Sequence, residues 1–372
     1  MYYTKDKFDQ VRTFLEKASQ GTFHEDCKEI RRIIEDTKVP TNRYGTFYIN
    51  KDNTKERTFS KEVAGSFKRC RTINFPKKEI KETTKRINDI MQGWTEHIAW
   101  IHGFNRGKGV LTNALAHAEG KPQHLVNMDL ENAFTQINFY NLKVFAEKVF
   151  LFNSSKARKF ARIMTHKGKM VQGNPLSPVI LNIMAIPLDW RLYGLAKKKS
   201  LKYTRYADDI TISSPVYLSN SLINLIQHII QHENWVVNSK KTIKRKSLME
   251  VTGVYLSNVG KGELGLHTRR TKLKNDLRAL QRLSKLGVYE LVRADGKSVS
   301  TAMVIAGIYA WLYPDYSSIR RKTKGKEKDF GTGRNWKKRK QKRNMQEFAV
   351  KNETKFLSTE LRVIAEHRSK RS

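Results

Sequence analysis

The alternation of apolar and polar positions predicts a chain in which helices and short strands follow one another. Residues 1–40 carry apolar side chains at helical spacing, in two amphipathic stretches. Residues 44–76 hold two strand-like runs, YGTFYIN and RTINF, on either side of a polar, charged insertion, which predicts a β-hairpin with a long loop. From residue 79 to residue 100 the apolar spacing is helical again, so a helix is expected over that whole range.

The middle of the chain, residues 122–260, alternates between strand and helix patterns. The predicted order is a strand (HLVNMDL), a helix (NLKVFAEKVF), a loop (VQGNPLSP) that leads into an apolar helix, a hairpin (LKYTRYADDITIS), a helix (SLINLIQHIIQHENW) and a strand (EVTGVYLSN). Pro187 falls inside the apolar helix, where it is expected to cause a kink. This order predicts an α+β fold with helices on one face of a sheet. Leucines at helical spacing between Leu273 and Leu286 predict a separate helical region.

Charge changes this picture most. The chain has 72 Lys and Arg against 35 Asp and Glu, a net charge of +37, which predicts a polyanionic partner. Nucleic acid is favoured over an anionic membrane because the positive charge is spread along the chain and no long apolar segment occurs. The N-terminal residues lack the apolar core of a signal peptide, and Cys27 and Cys70 form no CxxC spacing, so a cytoplasmic location is expected.

Residues 320–343 carry the densest positive charge, with 13 basic and 2 acidic residues. Such a tract is either a solvated loop or an electrostatic clamp on a phosphate backbone, and one segment can be both. Trp336 within it is a weak indication of base stacking.

Two adjacent carboxylates, Asp208 and Asp209, interrupt the strand-forming residues of the predicted hairpin. Like charges this close repel unless a proton or a cation lies between them, and Mg²⁺ prefers oxygen ligands of this kind. Asp129 ends an apolar strand, so it is expected at the same rim of the sheet, where two-metal phosphoryl transfer would need a further carboxylate. The alternative is a solvated turn without a function.

Four motifs in this part of the chain resemble, in order and spacing, the motifs of reverse transcriptases. Residues 206–209 (YADD) resemble the Y-x-D-D hairpin of that family, and Asp129 with Phe134 resembles its first palm motif. Residues 172–178 (QGNPLSP) are similar to the family's QGxPxSP motif, and 238–242 (NSKKT) to the motif that follows it. The resemblance implies a right-hand polymerase fold in the α+β class, with fingers, a palm of antiparallel sheet backed by helices, and a helical thumb.

The same resemblance implies which residues carry the reaction. Asp129, Asp208 and Asp209 would be catalytic and would hold two Mg²⁺ ions, together with the backbone carbonyl of Leu130. Asp208 is expected to be the more direct ligand of the adjacent pair, and Asp209 the less certain one. The reaction implied is nucleotidyl transfer by an RNA-directed DNA polymerase.

Five residues are implied to bind the incoming nucleotide: Arg71, Phe134, Gln172, Gly173 and Lys241. Arg71 would grip the triphosphate, Phe134 would exclude a 2′-OH, and Lys241 would neutralise charge near the pyrophosphate. A core aromatic remains the alternative for Phe134, and an exposed strand lysine the alternative for Lys241. In the QGNPLSP loop, Asn174 and Leu176 depart from the family's more usual residues, which leaves the shape of the nucleotide pocket open.

Two shorter motifs resemble those of retron reverse transcriptases. Residues 113–117 (NALAH) look like the NAxxH element, residues 251–253 (VTG) like the VTG element, and residues 307–316 (GIYAWLYPDY) like the shared thumb segment. The ordinary alternatives are a helix with Leu115 buried and a strand that ends in a turn. The RNA-binding residues expected on this basis, and from the basic tract, are Asn113, His117, Thr252, Gly253, Arg320, Arg321, Lys337, Lys338 and Arg339.

The retron resemblance implies a specific function. Such a protein binds its own structured noncoding RNA, primes DNA synthesis from a 2′-OH of that RNA and copies part of it into short single-stranded DNA (msDNA). It would act in a bacterial cytoplasm in anti-phage defence, with dNTPs as substrates, an RNA–DNA hybrid as product and a separate effector protein as partner.

The expected domains are N-terminal helices and fingers over 1–120, the palm over 121–260 with finger elements interleaved around 140–200, and a helical thumb with a basic C-terminal tract over 261–372. Two alternatives to the retron function remain. One is a reverse transcriptase of the group II intron or diversity-generating type, and the other is a non-catalytic RNA-binding scaffold.

Overall fold

The structure is a computed structural model that describes residues 4–50, 52, 56–238, 241–246, 249–260, 263–267, 280–281, 290–292 and 298–300. The chain divides into two compact units, Met1–Thr252 and Gly253–Ser372. Helices and antiparallel sheets are mixed along it, which agrees with the predicted α+β class. The expected division into three domains stays a prediction.

Helices make up most of the first unit. They span Lys5–Ala18 (α1), Phe23–Asp36 (α2), Lys61–Gly65 (α3), Lys78–Met91 (α4), Val110–Ala118 (α5), Ala133–Gln136 (α6), Phe139–Lys148 (α7), Ser154–Met164 (α8), Ser177–Met184 (α9), Ile186–Lys198 (α10) and Asn220–His232 (α11). The two amphipathic stretches predicted within residues 1–40 are confirmed as α1 and α2, whose apolar faces are buried.

The helix expected over 79–100 is wrong in its second half. α4 ends at Met91, and a single 3₁₀ turn, Gln92–Trp94, follows it. Trp94 is completely buried, and its indole nitrogen donates a 2.7 Å hydrogen bond to Asp26 Oδ2. This contact draws the chain away from the helix axis at Gly93, where a glycine weakens helical continuation.

The kink predicted at Pro187 is confirmed. α9 and α10 form a pair bent by 50°, and Pro187 is the second residue of α10. Because proline has no amide hydrogen, a continuous helix would lose a backbone hydrogen bond at this point. Within the described residues no single helix is long and apolar enough to cross a membrane, and this bent pair alone meets the criterion by length and composition.

The predicted hairpin over 44–76 is confirmed. Tyr44–Asn50 (β1) pairs antiparallel with Cys70–Pro76 (β3) along its full length, and the short strand Arg57–Thr58 (β2) pairs with the other edge of β1. The polar insertion therefore contributes a strand and the helix α3 rather than a simple loop.

A four-stranded antiparallel sheet lies at the centre of the first unit. Its strands are His124–Asp129 (β4), Lys202–Tyr206 (β7), Asp209–Ser214 (β8) and Ile243–Arg245 (β9), in the order β7-β8-β4-β9. β4 and β8 supply buried apolar side chains to a core shared with the helices. Thr165–His166 (β5) and Lys169–Met170 (β6) form a separate short hairpin after α8.

The strand predicted for EVTGVYLSN is two strands. Met249–Val251 (β10) and Val254–Gly260 (β11) are separated by Thr252 and Gly253, whose φ angles of 48° and 83° are left-handed. In the second unit β11 pairs antiparallel with Glu263–His267 (β12), and Glu290–Val292 (β13) with Ser298–Ser300 (β14). Leu280 is buried, and the rest of the predicted leucine repeat, with the segment 307–316, lies outside the described residues.

Candidate active site

Strand pairing brings the predicted acids to one end of the central sheet. Asp129, the last residue of β4, lies directly opposite Asp209, the first residue of β8. Tyr206 also pairs with Asp209, so Ala207 and Asp208 form the tight turn between β7 and β8. The expectation that the three acids share one rim of the sheet is confirmed by this register.

The turn that carries Asp208 is strained and tightly enclosed. Ala207 has a φ of 59°, the left-handed region that a two-residue hairpin of this kind usually fills with glycine. A β-carbon added to Gly103 would lie 2.4 Å from the Ala207 nitrogen, so the segment at Gly103 can approach the turn only because it has no side chain. The backbone nitrogen of Leu130 donates a 2.9 Å bond to the Asp208 carbonyl and joins the turn to the end of β4.

The acids perturb one another electrostatically. Loss of hydration raises the pKa of Asp208, with repulsion by Asp129 adding to it, while Lys241 and Arg71 oppose the rise. Desolvation of its carboxyl group raises the pKa of Asp209 to about 7, followed by repulsion from Asp208 and Asp129, although the residue as a whole keeps exposed surface. The cluster therefore favours a proton or a cation between its carboxylates.

Lys241 already supplies one such cation. Its Nζ donates a 2.9 Å hydrogen bond to Asp129 Oδ2, and this contact is the main reason why the pKa of Lys241 is raised. The amide nitrogen of Asn238 also bonds the Asp129 carbonyl at 2.8 Å, so the NSKKT motif holds the end of β4 through both backbone and side chain. Most of the Lys241 side chain is nevertheless exposed.

These carboxylates fit a divalent cation by their chemistry. They offer hard oxygen donors that repel each other, and a lysine ammonium is bound where a cation is favoured. As their side chains stand, the described residues contain no group of three or more His, Cys, Asp or Glu side chains that could hold a metal ion. The Lys241 ammonium would therefore have to leave Asp129 for the carboxylates to share a metal ion.

The loop at Gln172 abuts the strand that carries Arg71. Gln172 and Gly173 are exposed, while the Asn174 and Ser177 side chains are buried and anchor the loop. Asn174 donates to the Tyr44 hydroxyl at 3.1 Å, and Ser177 donates to the Val171 carbonyl at 2.6 Å. A β-carbon on Gly173 would lie 2.4 Å from the carbonyl oxygen of Asn74 in β3. Glycine is thus required here by the approach of the β3 strand.

Two of the predicted nucleotide-binding residues, Arg71 and Phe134, lie on different elements around the acids. Arg71 is exposed on β3, close enough to Asp208 to lower its pKa. Phe134 lies on α6, is 9% exposed, and packs edge-on against Phe104 with a ring separation of 6.5 Å. Phe104 is itself exposed and has a φ of 61°, a position that the sequence pattern did not single out. The nucleotide-binding roles stay predictions.

A buried ion pair beneath the turn was missed by the sequence reasoning. Arg205 of β7 and Asp189 of α10 are both fully buried, with Arg205 Nη2 2.7 Å from Asp189 Oδ2 and Nε 2.8 Å from Oδ1. The guanidinium also donates to the Asn182 side chain and to the Ala207 carbonyl, at 3.1 and 3.0 Å. The Tyr203 hydroxyl donates to Asp189 at 2.6 Å. A charged residue within the apolar run of the hairpin was the available signal.

The NALAH motif is buried against the central sheet. Asn113 and His117 are completely buried, and the His117 ring bonds the Ser213 and Thr204 hydroxyls at 2.7 and 2.8 Å. Burial lowers the pKa of His117 to about 3. Asn113 Nδ2 donates to the Thr252 hydroxyl at 3.3 Å, which links NALAH to VTG.

RNA binding by Asn113, His117, Thr252 and Gly253 stays a prediction. The first two side chains have no exposed surface in this structure, so direct contact would require the helix to move. The other predicted RNA-binding residues, Arg320, Arg321, Lys337, Lys338 and Arg339, lie outside the described residues.

Comparison with known proteins connects this geometry to one family. Residues 49–256 match the model of the family described as reverse transcriptase (RNA-dependent DNA polymerase), a range that contains every residue of the acidic cluster. The chain is 31% identical over 223 residues to the retron Ec86 reverse transcriptase of Escherichia coli, covering 54% of this chain and 63% of that protein.

Two further relatives have the same description. Identity to the retron Mx162 reverse transcriptase of Myxococcus xanthus is 31% over 225 residues, covering 51% of this chain and 45% of that protein. Identity to the retron Ec83 reverse transcriptase of Escherichia coli is 30% over 219 residues, covering 54% of this chain and 68% of that protein. The chain thus spans about half to two thirds of the length of the curated relatives it matches.

Proposed function

Because the chain belongs to the reverse transcriptase family, as a retron-type member, we propose that it is an RNA-directed DNA polymerase that extends a primer with deoxynucleotides. The observation that carries the proposal is the register of β4 against β8, which sets Asp129 opposite Asp209 and beside Asp208. A cluster of acids in a chain of net charge +37 is a local exception that needs a cationic occupant.

Asp129 and Asp208 would hold the metal ions, two Mg²⁺ in this proposal, with Asp209 beside them and the Leu130 carbonyl as a further oxygen ligand. When bound, the ions neutralise negative charge on the triphosphate and lower the pKa of the primer hydroxyl. Lys241 is released from Asp129 by this exchange, and its ammonium then faces the departing pyrophosphate. The Asp129 and Asp208 oxygens must be unprotonated to bind, so substrate and metal binding both favour loss of the shared proton.

The remaining residues position the nucleotide. Arg71 offers a planar guanidinium fork to the triphosphate from β3, and the Gln172 amide lies on the exposed loop that β3 holds in place. Gly173 contributes backbone to the same loop. Phe134, packed against Phe104, limits the space beside the sugar and so disfavours a 2′-OH.

We further propose the retron reaction for this chain. It binds its own structured noncoding RNA, starts synthesis from a 2′-OH of that RNA, and copies part of it into msDNA inside the bacterial cytoplasm. The product serves anti-phage defence together with a separate effector protein. Support comes from the relatives described as retron reverse transcriptases and from the excess of positive charge. The fingers, palm and thumb arrangement of the family belongs to this proposal.

Two assays test the proposal at its two levels. Purified chain is given a DNA primer annealed to an RNA template with dNTPs and Mg²⁺, and labelled DNA complementary to the template is expected. For the retron reaction, nucleic acid that copurifies with the chain is digested separately with RNase and DNase. A short single-stranded DNA joined to RNA is the expected product. Template copying without any such DNA would contradict the retron part alone, and no copying would contradict the polymerase itself.

A further inference from the structure

The two ends of the central sheet carry opposite charge. Asp129 and Asp209 pair at one end of β4 and β8, and His124 and Ser214 pair at the other. The two ends are five residues apart, or roughly 17 Å. At the end away from the acids, β9 and the residue after it bring Lys244, Arg245 and Lys246 beside the start of β4.

An exposed tyrosine lies at this second end. Tyr217 follows β8 and is 67% exposed, and its ring meets the His124 ring edge-on with the centroids 5.6 Å apart. The segment that carries it is fixed on both sides. The Val216 nitrogen donates to Ser214 Oγ at 3.0 Å, and Leu218 is buried in the core. Tyr217 is therefore an aromatic surface held by ordered backbone. We call Tyr217, His124, Lys244, Arg245 and Lys246 the basic end.

A shallow cavity of about 160 Å³ lies among these side chains, and among the described residues that line it none is acidic. Arg245 is neutralised by Glu250, at 3.0 Å, and bonds the Asn127 side chain. Lys244 bonds only a neutral amide, that of Asn220, among the contacts described, and Lys246 is exposed. The lysines thus retain their charge for a ligand. The cavity is smaller than the roughly 300–1,000 Å³ of small-molecule and cofactor sites, so it fits one unit of a polymer better.

We propose that the basic end binds single-stranded RNA, with one base stacked on Tyr217 and neighbouring phosphates on Lys244 and Lys246. Aromatic faces flanked by cations are how proteins hold single strands, because stacking accepts any base and the cations neutralise the backbone. The choice of RNA rests on the proposed function, in which this chain holds a structured RNA. The roughly 17 Å separation places the bound segment away from the nucleotides being copied.

Photo-crosslinking of the full-length chain tests the contact directly. The purified protein, freed of nucleic acid, is mixed with a ten-nucleotide single-stranded RNA that contains 4-thiouridine, irradiated, digested and analysed by mass spectrometry. A crosslink is expected in the peptide that contains Tyr217. It should persist in Tyr217→Phe, which keeps the ring, and disappear in Tyr217→Ala. Crosslinks confined to other peptides would overturn the proposal.

Affinity and its salt dependence provide the second readout. Tyr217→Ala is expected to weaken binding of the same RNA about 5- to 100-fold, whereas Tyr217→Phe and Tyr140→Ala, a change at another half-exposed tyrosine, leave it within twofold. Lys244→Gln with Lys246→Gln should lower the slope of log affinity against log salt by about 1.4, or about 0.7 for each phosphate contact. Wild-type affinity in Tyr217→Ala, or stronger binding of single-stranded DNA of the same sequence, would contradict the proposal.

Extension of an annealed DNA primer on RNA separates this inference from the proposed function. Tyr217→Ala should extend such a primer at the wild-type rate. If it does so and also binds single-stranded RNA normally, the basic end is not an RNA site while the polymerase assignment stands. If the wild-type chain extends no primer but crosslinks at Tyr217, the polymerase assignment fails and RNA binding at the basic end remains.

Discussion

Replacing Arg205 with methionine tests whether the buried ion pair beneath the acidic turn stabilises the protein. Arg205 and Asp189 are both fully buried, and the guanidinium donates to Asp189, to Asn182 and to the Ala207 carbonyl. Methionine fills much of the space but leaves the Asp189 carboxylate buried without its cation. Only the Tyr203 hydroxyl would still donate to it.

The expected cost follows from that burial. Breaking a buried ion pair by removing one partner costs about 3–5 kcal/mol, because the remaining charge is uncompensated. Arg205→Met should therefore lower the free energy of unfolding of the first unit by about 3–5 kcal/mol. Removing the stranded charge as well, in Arg205→Met with Asp189→Leu, should restore part of this loss. The coupling energy between the two sites should be about 2–3 kcal/mol.

Urea unfolding followed by tryptophan fluorescence measures these differences, since Trp94 and Trp235 are buried in the same unit. Arg32→Met is the matched control. Arg32 pairs with Glu29 on the surface of α2, and its loss should cost less than about 1 kcal/mol. A cost below about 1 kcal/mol for Arg205→Met, or additive effects in the double variant, would refute the reasoning.

Two further predictions concern the turn and the buried histidine. Gly103→Ala should lower stability by about 1–3 kcal/mol and slow primer extension, because its β-carbon would meet the Ala207 nitrogen; Gly107→Ala, an open position that also has a left-handed φ, controls for backbone strain, and equal extension by both variants would contradict this. The pKa of His117 falls from its usual value of 6.5 to about 3 on burial, so the unfolded chain takes up the proton first and stability should fall as the pH drops below about 6.5. Urea midpoints at pH 7 and pH 5 measure that loss, about 2 kcal/mol from this residue, and His117→Gln should reduce it.

The position of the acids was predictable because two local signals determine it. An apolar strand that ends in Asp129 and a strand-forming run interrupted at Asp208 both place a carboxylate at a sheet end. Antiparallel pairing then brings those ends together. The Pro187 kink was predictable for a similar reason, since proline disrupts helical hydrogen bonding wherever it stands.

What the sequence could not show depends on contacts between distant segments. The need for glycine at 103 arises from the approach of Ala207, and the need at 173 from the approach of Asn74. The end of α4 depends on the burial of Trp94 against Asp26. Periodicity describes which face of one element is apolar, but it does not identify the element that packs against that face.

Motif resemblance gave the nature of the NALAH residues but not their surroundings. His117 looks like a candidate for RNA contact in the sequence, whereas in the structure both ring nitrogens bond hydroxyl groups of the central sheet. A short motif identifies a family without distinguishing residues that touch a ligand from residues that hold the sheet together.

The most direct test of the central claim is primer extension on an RNA template by Asp208→Asn. The substitution removes the charge of one carboxylate while keeping its size. The matched control is Asp89→Asn, at an exposed residue of α4. We predict that Asp208→Asn incorporates no dNTP above background while it binds RNA with wild-type affinity, and that Asp89→Asn extends the primer normally. Extension by Asp208→Asn at the wild-type rate would contradict the account.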